Sequence, residues 1–447
     1  MCVLLLWRHA RLSALHPATI YVLFHVLVFT SRAYFVLTDS PTLFTGWGGG
    51  VVPIRDTEIS WAMNLADLAL VSMTVAWIKV AGDDRRRKPV LPSSADRSPE
   101  GAMLSGKVIR NVSVVAFPVG VLAIVYFAYL PGASGYGAPH IDLGNWNNST
   151  WTMITQSWPG LVLLSLIYYY GFRRRLVALL SGYLLVMAIQ GGDRFRVVIP
   201  LIYLVLIWLL RHRQKWPPLW MALAGSAVLF IVFPLKGIGF MVQNGEPISD
   251  IVEVLVNSTT DVTSGRAPDQ LILDEFACTV SLVDESHHYY YGALYYPLLT
   301  LPVPRQLWSD KPAVNMYQYE LSNPSRPMVS SGMVSTLHGE SYANGGLFGV
   351  IIISFISAYW LGRFYFRAMR AGYFSVCCFA YLIVACNLIQ IYRDGLVSLV
   401  MFTVVNMMPL VAIALLSYIS HRRKRTWSSI QRRVAFGSAR GTTAGMS

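Results

Sequence analysis

The chain is expected to be all-α and polytopic in a membrane, on three observations. Of its 447 residues, 54% are apolar and 13% charged, against roughly 25% charged in soluble domains. About ten apolar runs reach or approach the roughly 20 residues that carry a helix across a hydrocarbon core. The cations fall in short clusters between those runs.

The runs lie at 17–37, 59–80, 109–130, 152–171, 175–191, 195–210, 217–235, 344–362, 372–391 and 396–418. Helices suit them because a helix satisfies its backbone hydrogen bonds internally, which lipid demands. The first run is long enough to stay as a span rather than serve as a cleaved leader. The basic clusters are Arg8 and Arg11, Arg85 to Lys88, Arg173 to Arg175, Arg211 to Lys215, Arg363 to Arg370, and Arg422 to Arg425. With both termini cytoplasmic, every cluster falls inside and the Asp-, Asn- and Gly-rich connections fall outside. The net charge of +13 then reports topology, and no nucleic-acid partner is expected, because no basic, aromatic-interleaved surface is present.

This order divides the chain into a first bundle of about seven spans, a periplasmic loop, three last helices and a basic tail, at 1–235, 236–343, 344–420 and 421–447. The basic cytoplasmic loop 81–107 has too few apolar residues for a core and suits orientation and contact with anionic headgroups. In the large loop, acids around Phe276 to Val283 predict an amphipathic helix lying over the bundle. The aromatic run Tyr289, Tyr290, Tyr291, Tyr295 and Tyr296 fits an interfacial belt or a sugar-stacking surface.

Cys2, Cys377, Cys378 and Cys386 lie in or near helices and only Cys278 belongs to the loop, so no disulfide framework is implied. His287 and His288 are adjacent, and His338 with Glu340 lacks further close ligands, so neither pattern makes a metal motif. Gly345, Gly346 and Gly349 lack the Lys and Ser/Thr of a phosphate loop and are expected to permit close helix packing. No cofactor is expected.

Three segments carry the chemistry. Gly191 to Arg196 is a charged turn between two short runs, read as a snorkelling basic turn or as an anion site built on Arg194 and Arg196. Pro304 to Pro312 presents Arg305 and Lys311 on a proline-bracketed turn, able to hold a diphosphate or to pair with loop acids. His338 to Gly346 places His338, Glu340 and Tyr342 just before a span, where Glu340 could touch substrate or cap the helix. Arg393, beside Asp394, joins the cations expected at the outer face.

These features resemble the Wzy-type oligosaccharide repeat-unit polymerases, bacterial inner-membrane proteins similar to the lipid-linked-donor glycosyltransferases that include O-antigen ligases. The resemblance rests on the many-span layout with a large late loop, on Gly-Asp-Arg-Phe-Arg at 192–196, on Pro-Arg-x-x-Trp-x-x-Lys-Pro at 304–312 and on Gly-Glu-x-Tyr-x-x-x-Gly at 339–346. It implies periplasmic-face polymerisation of undecaprenyl-diphosphate-linked repeat units for O-antigen or capsule, without a metal. Lipid-linked donor and acceptor, the bilayer and a chain-length regulator are the implied partners. Arginines hold the diphosphate in that family, which maps onto Arg194, Arg196 and Arg305; His338 or Glu340 is left as the base. The alternatives are an O-antigen ligase-type transferase and a lipid-linked oligosaccharide transporter or flippase.

Overall fold

The computed structural model describes residues 1–10, 12–38, 43–45, 51–86, 102–128, 154–189, 195–232, 253, 256, 271–300, 308, 334 and 336–441. It is predominantly helical, with one short antiparallel hairpin, β1 (Leu43–Thr45) against β2 (Val51–Pro53), added to the expected all-α layout.

The helices are α1 (Cys2–His9), α2 (Pro17–His25), α3 (Ser31–Thr38), α4 (Asp56–Arg86), α5 (Gly106–Ala128), α6 (Trp158–Tyr170), α7 (Arg174–Ile189), α8 (Phe195–Arg211), α9 (Leu219–Val232), α10 (Ile272–Ser286), α11 (Tyr296–Thr300), α12 (Thr336–Ala371), α13 (Val376–Ala385), α14 (Leu388–Val400) and α15 (Met408–Gly441). π-Turns at Val26–Thr30 and Met401–Val405 join α2 to α3 and follow α14. Four stretches among the described residues are long and apolar enough to cross a membrane: 17–37, 56–86, 106–126 and 336–371. The fold is therefore consistent with a multi-pass membrane protein.

Several expected spans take other forms. The runs at 152–171, 175–191, 195–210 and 217–235 become helices of 13, 16, 17 and 14 residues, shorter than the roughly 20 needed for an upright crossing. The run at 372–391 bends by 80° between α13 and α14. Pro118 and Pro200 sit inside α5 and α8, a placement that membrane bundles tolerate because neighbouring groups re-satisfy the freed carbonyls.

The spine is α4 against α12. Without a hydrophobic driving force in lipid, helices associate through close packing of small residues. On α4, Ala62, Ala66, Ala69 and Ala76 are buried; on α12, Ser354, Ala358 and Gly362 recur every four residues and are also buried. A side chain at Gly362 would meet Trp77 at 3.2 Å, and Ser72 Oγ donates to the Ile351 carbonyl at 2.7 Å across the seam.

Two apolar clusters flank this spine. One gathers α2, α4, α10, the start of α12 and α14; the other gathers α5, α6, α7, α8, the end of α12, α13 and α15.

One end of the bundle collects the cations. Arg85 donates to the His9 carbonyl at 2.8 Å, Arg370 pairs with Asp84 at 3.3 Å, and the Ala14 amide donates to the Lys215 carbonyl at 2.8 Å. Gly171, two residues before Arg173, lies against the Arg211 guanidinium. The clusters around Arg8, Arg85, Arg173, Arg211 and Arg370 thus meet at the same end. At the other end of α4, Glu58 accepts from Ser281 of α10 at 2.8 Å.

α10 does not lie over the bundle as its acid pattern suggested. Every residue from Ile272 to Val280 is buried, because the Val26–Thr30 turn, α4 and α12 enclose it. Asp274 and Glu275, read as the polar face, point into protein, and only the last turn reaches solvent.

Candidate functional site

Residues 336–344 form a short helical arm, separated from the long span by non-helical backbone at Gly345 and Gly346. Thr336 Oγ1 accepts the Gly339 amide at 3.0 Å, which satisfies one of the orphan donors of a helix start. Gly346 adopts φ +56° and ψ −142°, a conformation open to glycine at little cost. The arm then folds back on the span so tightly that a Cβ at Gly349 would lie 2.1 Å from the Ser341 carbonyl oxygen. These glycines do allow close approach, but as a hinge within one helix rather than as a seam between two.

The aromatic run finishes this arm. The Tyr290 and Tyr291 amides donate to the Ala343 and Asn344 carbonyls at 2.9 and 2.8 Å, and Asn344 Oδ1 accepts the Gly292 amide at 2.9 Å. Backbone from the loop therefore caps the carbonyls that the helix break exposes. Tyr289 lies against Gly346, while Tyr291 is 83% exposed.

His338, Glu340 and Tyr342 are all buried on this arm, on two faces. Residues four apart share a face and residues two apart oppose it, so His338 and Tyr342 face one way and Glu340 the other. His338 Nε2 and the Tyr21 hydroxyl are 2.7 Å apart, with Phe29 and Phe276 around the imidazole. Among the described residues His338 Nδ1 has no hydrogen-bond partner. The Tyr342 hydroxyl donates to Asp284 at 2.6 Å.

Glu340 meets a second broken helix. α14 is interrupted at Gly395, with φ +91° and ψ −177°, and a Cβ there would fall 1.9 Å from Glu340 Oε2. The Leu396 and Val397 backbone and the Tyr295 side chain interact with the carboxylate. A fresh helix start with free N–H groups faces the carboxyl group, an arrangement that favours its ionised form. Glu340 does not cap its own helix; it lies at the restart of another.

The expected cations are not gathered beside it among the described residues. Arg196 bonds Gln156 Oε1 at the start of α8, in the second apolar cluster. Arg393 lies 3.8 Å from Asp394, two residues before the α14 break, on the helix that touches Glu340. Arg194, Arg305 and Lys311 lie outside the described residues, as do most of the segments 192–196 and 304–312.

Three polar groups from the first half complete the region. Arg32 donates through Nη2 to Asp274 Oδ2 at 2.7 Å and through Nε to both carboxylate oxygens at 3.1 and 3.2 Å, with side-chain exposures of 2% and 0%. Burial raises the Asp274 carboxyl above its ordinary range, and the Arg32 bonds pull it back. His25, near Tyr21, bonds Asp67 at 3.1 Å. The available signal for these was an ionisable residue inside an apolar run, which is rare and functionally suggestive in membrane helices.

No family model, curated protein or solved structure matches this chain.

Proposed function

We propose that the protein is a lipid-linked-donor glycosyltransferase that polymerises undecaprenyl-diphosphate-linked repeat units at the periplasmic face of a bacterial inner membrane. The observation that carries this reading is the arm 336–344 of the broken helix α12, which holds His338 and Glu340 inside an apolar bundle with Glu340 against the break in α14. Ionisable groups are costly there and mark paths for substrates or ions.

In this reading ten hydrophobic segments place both termini in the cytoplasm, and the loop from residue 236 faces the periplasm. Its support is the meeting of basic clusters at one end, as the positive-inside tendency requires. An acceptor sugar hydroxyl takes the place of the Tyr21 hydroxyl at His338 Nε2, within hydrogen-bond reach of a base. The hydroxyl oxygen attacks the anomeric carbon and its proton passes to the imidazole. The bond from that carbon to the phosphate oxygen breaks, and the lipid diphosphate leaves with the electron pair. Arg393, with Arg194, Arg305 and Lys311, stabilises the departing charge, while Glu340 holds the α14 restart and Tyr342 ties the arm to α10.

Purified protein in nanodiscs, given lipid-linked repeat unit alone, should produce a ladder of glycans and free undecaprenyl diphosphate. Transfer only when lipid A core is added would assign it to the ligases instead. The broken helices α12 and α14 favour one further reading, transport of the lipid-linked oligosaccharide, since discontinuous helices build transporter sites. Translocation in sealed vesicles without any glycan product would select it and reject the polymerase.

A further inference from the structure

A half-open cleft of about 920 Å³ lies at the basic end of the bundle, between α4, α12, α13 and α15. Its size falls within the roughly 300–1,000 Å³ of small-molecule sites. Arg363, Arg367 and Arg370 line it, and their spacing puts all three on one face of α12. Its opposite wall is apolar and runs along α13 from Val376 through Ala380 to Val384, about 12 Å by helical rise.

The arginines are unequally engaged. Arg370 pairs with Asp84 at 3.3 Å. Arg363 donates to the Tyr359 hydroxyl at 3.0 Å and lies 5.6 Å from the centre of that ring, contacts that orient the guanidinium without neutralising it. Arg367 makes no ion pair with a carboxylate among the described residues. Asp83 also lines the cleft but forms no ion pair with these arginines among the described residues. With Arg370 held by Asp84 and Asp83 the other acid on the cleft, Arg363 and Arg367 leave a positive excess at the mouth of an apolar trough.

We propose that this cleft binds a phosphate-bearing lipid from the leaflet at the basic end, its phosphate on Arg363 and Arg367 and one acyl chain along α13. Guanidinium forks match phosphate oxygens bidentately, and basic pockets between membrane helices suit anionic headgroups. The trough argues for a lipid over free phosphate, because an ion alone would leave the α13 wall uncovered.

The test is native mass spectrometry of the full chain released from micelles containing phosphatidylglycerol, phosphatidylcholine or inorganic phosphate without added lipid. One phosphatidylglycerol should be retained in preference to phosphatidylcholine. The preference should fall by about fivefold for each of Arg363→Gln and Arg367→Gln, and stay unchanged in Arg174→Gln, which lies outside the cleft. Ala380→Phe should expel the lipid with every arginine intact, which keeps the test open should the double arginine variant fail to fold. Equal retention of the two lipids, or a preference that survives both the double variant and Ala380→Phe, overturns the proposal. So does retention of inorganic phosphate that depends on Arg363 and Arg367 without any lipid. Lipid retention is read without glycan chemistry, so failure of this site and failure of the polymerase reading are separable.

Discussion

Cutting the buried Arg32–Asp274 pair should be among the most damaging single changes in the described part of the protein. Both side chains are almost wholly enclosed, and three N–H to oxygen contacts of 2.7 to 3.2 Å join them. Removing one partner strands a charge or a row of donors where water cannot reach. A broken buried pair costs about 3–5 kcal/mol, whereas replacing both members with apolar groups of similar volume is often nearly neutral. Arg32→Gln and Asp274→Asn should each lower stability by that amount, since the amide offers neither the charge nor the full fork geometry. Arg32→Met with Asp274→Leu should recover most of the loss. Reversible unfolding in mixed micelles across this double-mutant cycle measures the coupling. Single substitutions costing less than about 1 kcal/mol, or a double variant as unstable as the summed singles, would show that the pair is not the desolvated tie between α3 and α10 described above.

Three further outcomes are expected. His16, which caps α2 by accepting the Ala18 amide at 3.1 Å, is pushed by burial from 6.5 to about 3; a lowered histidine contributes stability that is present above about 6.5 and lost as pH falls through about 3, so wild type should lose stability relative to His16→Asn over that window, and parallel curves would refute it. Gly395→Ala should cost at least about 1–3 kcal/mol in the same unfolding measurement, since the left-handed backbone and the 1.9 Å approach to Glu340 Oε2 both oppose a side chain; a neutral effect would mean that Glu340 does not abut the break. In a cysteine-free background, single cysteines at Gly265 and Asn323 should react with an impermeant thiol reagent in intact cells, and one at Ser94 only after permeabilisation; external labelling of position 94 would invert the proposed orientation.

In the proposed reaction, the burial of His338 sharpens the choice of base. An imidazole bonded to Tyr21 through Nε2 meets an acceptor at that nitrogen only if the hydroxyl gives way, so Tyr21→Phe should alter acceptor affinity without removing the base. Glu340, locked against the α14 restart, is better suited to positioning. Turnover against pH for His338→Gln and Glu340→Gln separates the two: loss of the acidic limb belongs to the base, and reduced turnover with the limb intact belongs to the positioning residue.

Helical class, membrane character and the grouping of cations were legible in the sequence, because each depends on local composition: apolar length makes a span, and Lys or Arg beside it reports a side. The same local logic pointed to His338, Glu340 and Tyr342 as unusual residues beside a glycine pair. It could not show that the glycines break the helix, since Gly345, Gly346 and Gly349 are equally compatible with a straight, closely packed span. Nor could it show that α10 is enclosed. Acids at Asp274 and Glu275 look like a solvated face until Arg32, 242 residues from Asp274 in the chain, pairs with the first and the Val334 amide donates to the second. The contacts of Tyr21 with His338 and of Glu340 with Gly395 are likewise long-range. Local sequence sets which groups are costly to bury; only tertiary packing decides which partners come from elsewhere in the chain to meet that cost.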